Sequence, residues 1–436
     1  MRPYRVRLLG TVLLALLVVP AIAQIPFDKE QRDRARGMVR DVSEALRKYY
    51  YDASFHGVDM QARFKTADAL IQNATSFGQA FGAIAEALDG LNDSHTLFQP
   101  PTPPVRREFG YEARFVGDEC FVTAVRPNSN ATGKLAPGDQ LMAIEGTPLT
   151  RENYWKTRYR ANEIYALATV HITVRHAGGS ESNVAITAKT TPSHKVFYPA
   201  GTDYMFEIRG DDSNERLLRH YHWESGDTMI WKMLAFDRTV DGAERLVREA
   251  KKHETLILDL RGNAGGLEKT LEFLVGSFID HEVTIAKRKG RDADLKPMVA
   301  KPHGSSRFRG KLIVLIDGSS ASEAELFARV VQLEHRGIVL GDRSSGSVMQ
   351  SRYDPFSQGM DTKIFYGVAI TEADLIMADG KSLEHTGVIP DEFILPTAAD
   401  LASGRDPVLA RAAELAGIVL DPSSAGMLFP IEWRPD

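Results

Sequence analysis

The sequence holds one cysteine, Cys120, among 436 residues. A disulfide framework within the chain is therefore excluded, and so is a cysteine-rich metal site. There is no excess of positive charge either: 53 Lys and Arg stand against 58 Asp and Glu, a formal net charge of −5. Nothing is left over to neutralise nucleic-acid phosphates. No internal repeat is visible, and beyond Ala23 no apolar run is long enough to cross a bilayer. What remains is a globular mix, 43% hydrophobic and 25% charged, which argues against a disordered or fibrous chain. A chain this long rarely builds one core, so about two or three domains are expected.

The start reads as a processing segment. Arg2, Arg5 and Arg7 precede the apolar run from Leu8 to Val19, and Ala21-Ile22-Ala23 follows as a small-x-small cleavage site. The run is short for a membrane span. Residues 1–23 are expected to be a signal peptide cut after Ala23, which implies a periplasmic or secreted protein with no stable span. A retained anchor is the alternative. No cysteine follows the run to carry a lipid there.

Three regions follow. Residues 24–100 are helical in pattern: Val42, Ala45, Leu46 and Tyr49 recur at helical spacing, as do Phe77, Phe81, Ile84 and Leu88. The stretch from Pro100 to Pro104 breaks the pattern and reads as a linker. Residues 105–193 are β-rich, with short runs from Phe109 to Phe115, Cys120 to Val125, Gln140 to Ile144 and Val170 to Val174. From 194 to 436 the texture is α/β. The apolar runs from Thr255 to Leu260 and from Lys311 to Ile316 each end in a Gly-rich or Ser-rich turn and then a helical pattern. That order suggests buried strands with crossover helices.

The two turns carry the chemistry. In Asp317-Gly318-Ser319-Ser320-Ala321-Ser322-Glu323 a strand feeds a tight turn and a helix. A serine at a helix N-terminus sits where free N–H groups and the positive dipole end favour developing negative charge. The amide of the next residue, Ala321 after Ser320, can bind an oxyanion. The plain alternative is a helix cap. The other turn, Asp259-Leu260-Arg261-Gly262-Asn263-Ala264-Gly265-Gly266, is small enough for a carbonyl to approach its backbone, or is simply a left-handed turn. It is no phosphate loop, because the Lys and Ser/Thr ending is missing.

Together with Gly387-Val388-Ile389-Pro390-Asp391, these turns resemble the tail-specific (C-terminal processing) serine peptidases. The resemblance implies an α/β crotonase-like (ClpP/crotonase-type) catalytic core, an N-terminal helical region and a β-rich PDZ domain. It implies Ser320 as nucleophile, with an oxyanion hole from Ala321 and Gly265 or Gly266. Many members use a Ser–Lys dyad. Here Gly341-Asp342-Arg343-Ser344-Ser345-Gly346-Ser347 puts Ser347 where the lysine would stand, and a neutral serine needs a base. The segment Asn92-Asp93-Ser94-His95-Thr96 resembles the Ser-His pair of the tricorn core protease branch, whose supporting glutamate corresponds to Glu384. That resemblance implies His95 as base, with Ser94 and Glu384 orienting it and steadying the imidazolium. Large separations along the chain are no objection to such a relay.

In the middle region, Phe109-Gly110-Tyr111-Glu112 resembles the carboxylate-binding loop of a PDZ domain. Leu135-Ala136-Pro137-Gly138-Asp139-Gln140-Leu141 to Gly146 resembles that domain's Gly-Asp segment. Capture of a peptide's C-terminus as an added strand is implied; a β-rich spacer is the alternative. His220 and His222 lack a third ligand at recognisable spacing, so no metal and no cofactor are expected. The reading is a serine endopeptidase acting on peptide or protein substrates through their free C-termini. The alternative is an inactive peptide- or ligand-binding protein on the same scaffold.

Overall fold

The apolar runs Thr255–Asp259 and Lys311–Ile316 lie side by side and parallel, with Thr255 opposite Lys311 and Asp259 opposite Leu315. This comes from a computed structural model that describes residues 26–101, 105–192, 221–236, 240–291, 295–359, 363–431 and 433. The expected signal peptide, residues 102–104 of the linker and His220 lie outside the described residues. The two runs are central in a six-stranded sheet ordered Tyr221–Ser225, Thr228–Lys232, Thr255–Asp259, Lys311–Ile316, Ile338–Gly341, Glu392–Phe393. The first pair is antiparallel and the others are parallel.

These runs show no polar alternation because both faces of the sheet are covered. Successive side chains point to opposite faces. Leu256, Leu258, Leu312, Val314 and Ile316 pack against helices Val240–Ala250, Glu268–Phe278 and Glu323–Leu333. Ile257, Ile313 and Leu315 meet Val408, Leu409 and Ala412 of helix Pro407–Ala416 on the other face.

A second, antiparallel sheet is built on the long strand Ile364–Ile376. Met349–Gln358 pairs along one edge, and Leu97–Gln99 and Val283–Gly290 pair along the other. The N-terminal helices Lys29–Tyr49, Met60–Gln72 and Phe77–Asp89 begin at Asp28, Asp59 and Ser76, whose side chains accept from the amides of Gln31, Ala62 and Gln79. Their apolar stripes share one core with Tyr366, Val368 and Ile370 of the long strand. Leu97–Gln99 then pairs with Ala369, Val368 and Gly367. The turn just before it, Asn92–Thr96, is thereby pinned to the α/β half of the molecule.

The β-rich region forms its own sheet, ordered Tyr111–Val116, Glu119–Val125, Gln140–Ile144, Thr169–Arg175, Glu181–Thr187, around Phe115, Val122, Leu141 and Ile172. It sits on the ends of the parallel strands. Arg114 Nη1 pairs with Asp317 at 3.1 Å, and Arg151 pairs with Asp342 and donates to the Arg343 carbonyl at 2.9 Å.

One buried ionic group locks the first turn to the C-terminal helices. Arg261 donates to both Asp259 oxygens at 2.8 Å and to both Asp406 oxygens at 2.9 and 2.7 Å. Lys232 adds a contact to Asp259 at 3.0 Å. Burial alone would raise the Asp259 pKa, but Arg261 and Lys232 outweigh it and hold the carboxyl well below its ordinary range. Asp406 is lowered in the same way. Depressed carboxyls contribute stability above their unfolded pKa, roughly 3.9, and that stability is lost as pH falls through the folded value. Arg261→Ala takes the charge partner from Asp406 and leaves Asp259 with Lys232, and is expected to cost about 3–5 kcal/mol in denaturant unfolding. It should also flatten the fall of Tm below about pH 4. An unchanged acid slope in the variant would show that this group does not set it.

Candidate active site

Ser320 is sealed. It has no exposed surface, and its Oγ donates to the Leu260 carbonyl at 2.8 Å while accepting from the Asp317 amide at 3.0 Å. Its own carbonyl accepts from Ser345 N at 2.9 Å. The Ala321 amide, expected to face an oxyanion, instead donates to the Asn263 carbonyl at 2.9 Å. Together these bonds staple the two strand-end turns to each other.

The residue that stands out of this turn is Ser322. It is half-buried and caps helix Glu323–Leu333 with φ 56° and ψ −120°. That backbone conformation favours glycine, and in a serine it costs about 1–3 kcal/mol, which only a tightly determined surround can hold. A strained strand-to-helix turn of this kind lifts the side chain clear of its own backbone. The surround is visible. Ser322 N donates to the Ser347 carbonyl at 3.0 Å and to Glu325 Oε2 at 3.1 Å. Glu325 is fully buried, and its carboxylate also accepts from Ser344 Oγ at 2.6 Å, Gly346 N at 2.7 Å and Ser347 N at 2.9 Å. Ser347 itself, at the expected lysine position, has its hydroxyl 3.0 Å from that of Ser345.

One residue further, the Val348 amide donates to Glu384 Oε2 at 2.8 Å. The same oxygen accepts from Ser94 Oγ at 2.8 Å, and Oε1 accepts from Ser94 N at 2.8 Å. Ser94 Oγ lies 2.7 Å from His95 Nδ1. Asp93 Oδ1 accepts from the amides of His95 and Thr96 at 2.9 and 2.6 Å and from Thr371 Oγ1 at 3.0 Å, which fixes the backbone behind the ring. Ser94, His95 and Glu384 are therefore brought together in a line, and the Ser345–Val348 strip runs from that line to Ser322. The Glu384 pKa is raised, first by burial and then by the Asp93 carboxylate. His385, the Ser94 hydroxyl and the Val348 amide oppose that rise. The cleft between Asn92–Ser94, Ser345–Ser347 and His385 holds about 40 Å³.

The glycine turn closes the other side. Gly265 and Gly266 have φ of 103° and 146°. A Cβ on Gly265 would lie 2.6 Å from Ser322 Cβ, so only glycine lets the two turns approach. The Gly265 amide is taken by Asn263 Oδ1 at 2.9 Å, whereas the Gly266 amide donates to Glu323 Oε2 at 2.7 Å. Of the expected oxyanion donors, Ala321 and Gly265 are thus engaged in holding the turns, and Gly266 faces Glu323 and Ser322.

Away from this centre, Phe109 is buried and Gly110 has φ 74°. The Gly110 carbonyl accepts from Arg126 N at 2.9 Å. Tyr111 and Glu112 begin the edge strand and line a narrow cleft with Phe109, Ile144, Tyr154 and Arg158. The Tyr154 hydroxyl donates to the Ala113 carbonyl at 2.9 Å.

In the sequence, Ser322 and Glu323 stood out only as part of the Ser320–Glu323 motif, and Glu325 was given no role. Ser322 and Glu325 have capping-box spacing, but Ser320 and Glu323 have it too, so the spacing does not choose between the two serines.

Comparison with known proteins finds similarity over part of the chain. Residues 229–394 match peptidase family S41. A tricorn protease homologue of Streptomyces coelicolor is 24% identical over 404 residues, 86% of this chain and 32% of the relative. The tail-specific protease of Haemophilus influenzae is 32% identical over 287 residues, 63% of this chain and 38% of the relative. The chain thus spans roughly a third of the length of either relative. The crystal structure of mature CPAF superposes with a TM-score of 0.63 at 14% identity, over 85% of this chain and 94% of that one, a likeness of fold.

The two serines differ in a way stability can read. Ser320→Ala takes the acceptor from the Asp317 amide and leaves the Leu260 carbonyl with the Asn263 amide, and is expected to cost about 1–3 kcal/mol. Ser322→Gly relieves the backbone strain, offset by the entropy of glycine, and is expected to gain about 1 kcal/mol. Thermal unfolding of both variants checks the pair. A loss for Ser322→Gly would mean that its φ carries no strain.

Proposed function

We propose that this chain, whose residues 229–394 carry a peptidase family S41 domain, is a serine endopeptidase with Ser322, rather than Ser320, as nucleophile. The supporting observation is the continuous run of bonds from Ser322 N through Ser347 O and Val348 N to Glu384, Ser94 and His95. In this reading Ser322 Oγ attacks the substrate carbonyl carbon as its proton passes to His95. The carbonyl oxygen becomes an oxyanion held by the amides of Gly266 and Glu323. His95 then returns the proton to the leaving amine as the C–N bond breaks, and water hydrolyses the acyl-serine by the same route. Ser94 and Glu384 orient the ring and offset the charge it gains. Ser347 has no proton to move here, so the absent lysine is not required.

The β-rich region serves this site as a PDZ-like module. The edge strand from Tyr111 offers main-chain groups to an added peptide strand, and the loop around Phe109 and Gly110 receives its terminal carboxylate. Peptides or proteins with free C-termini are the substrate class, and the basic, apolar start of the sequence fits export to the periplasm or beyond. Among the described residues no helix is long and apolar enough to cross a membrane.

Ser322→Ala should abolish both peptide hydrolysis and fluorophosphonate labelling, while Ser320→Ala keeps most activity per folded molecule. His95→Ala should fall about as far as Ser322→Ala, because members of one relay act as a unit, and Glu384→Gln should fall less. Labelling that survives Ser322→Ala and vanishes with Ser320→Ala would return the nucleophile to Ser320.

A second measurement addresses the groove. Amidating the C-terminus of a peptide substrate should raise KM and leave kcat nearly unchanged. Equal kinetics for the free acid and the amide would remove tail capture from this reading.

A further inference from the structure

We propose that the Glu323 side chain is a positioning residue that closes the oxyanion site of the resting molecule and must swing away before a substrate carbonyl can enter; this rests on Ser322 being the nucleophile. One oxygen, Glu323 Oε2, accepts from the Gly266 amide at 2.7 Å and from Ser322 Oγ at 2.9 Å. A negatively charged oxygen between the serine hydroxyl and an inward-facing glycine amide occupies the place where acyl transfer develops an oxyanion. The glycine turn makes the approach possible: a Cβ on Gly265 would come within 2.7 Å of the same oxygen.

A carboxylate in the first turn of a helix has an ordinary use, lying over that helix's own free amides. Glu325 does this, accepting from the N-cap amide of Ser322. Glu323 does not stay on its own helix. Its carboxylate crosses to a loop 57 residues earlier in the chain. Charge-assisted hydrogen bonds of this kind are the strong ones. The arrangement also directs the Ser322 hydroxyl at a carboxylate rather than at His95. Two bonds must therefore break before the nucleophile and the oxyanion donor are both available. Binding a substrate carbonyl is then an exchange of one acceptor for another, and its cost falls on association.

The test uses the full chain with Glu323→Ala and Glu323→Gln, both of which keep the Glu323 amide. The readouts are the second-order rate of fluorophosphonate labelling, the affinity for a peptide boronate that forms an anionic tetrahedral adduct, and KM. Glu323→Ala should label and bind boronate about tenfold better than the native chain, with a lower KM. Glu323→Gln, uncharged but of the same shape, should fall between the two. Slower or unchanged labelling of Glu323→Ala, together with a lower Tm, would reduce Glu323 to a helix-stabilising residue and overturn the proposal. Glu323→Gln labelling at the native rate would overturn it even if Glu323→Ala fails to fold. Failure of the underlying reading looks different: the label would then map to a residue other than Ser322 in every variant.

Discussion

The segment Ser344–Val348 is held between two carboxylates, and the candidate site depends on that arrangement. Glu325 takes one side, accepting from Ser344, Gly346 and Ser347. Glu384 takes the other, accepting from Val348. A buried carboxylate is tolerable when its lone pairs are filled by donors, and expensive otherwise. Glu325 meets that condition wholly within its own neighbourhood. Glu384 meets it only by recruiting Ser94 from the far end of the chain. The demand of one carboxylate for donors therefore draws the histidine-bearing turn into the α/β half.

The strands of the core were legible because burial on both faces writes itself as an uninterrupted apolar run. The runs at Thr255 and Lys311 became neighbouring central strands, and the run from Gln140 to Ile144 became a strand with the same ends. The antiparallel sheet around Ile364–Ile376 was less legible. Its strand Leu97–Gln99 is only three residues long, too short for a period, and its partner lies far along the chain.

The Ser94, His95 and Glu384 group was named through resemblance, since no local pattern can join residues 290 positions apart. The serine was harder. Ser319, Ser320 and Ser322 share one small turn, and what separates them is backbone torsion. Ser320 turns inward to feed the Leu260 carbonyl, and Ser322 sits at positive φ with its amide donating to the Ser347 carbonyl. Both constraints come from partners outside the turn, so composition cannot rank the three. Glu323 was invisible for the same reason: its partner is a glycine amide on another loop.

The pairing of Leu97–Gln99 with Gly367–Ala369 has a bearing on biosynthesis. A growing chain emerges amino end first, so the histidine turn leaves the ribosome early and waits. The strand that anchors it comes hundreds of residues later, and the glutamate that orders Ser94 later still. No truncated product ending before residue 384 can assemble the line from His95 to the serine turn. Molecules broken off before that point lack the carboxylate that orders Ser94. For the function proposed above, the order of the sequence delays completion of the site until most of the chain has been made.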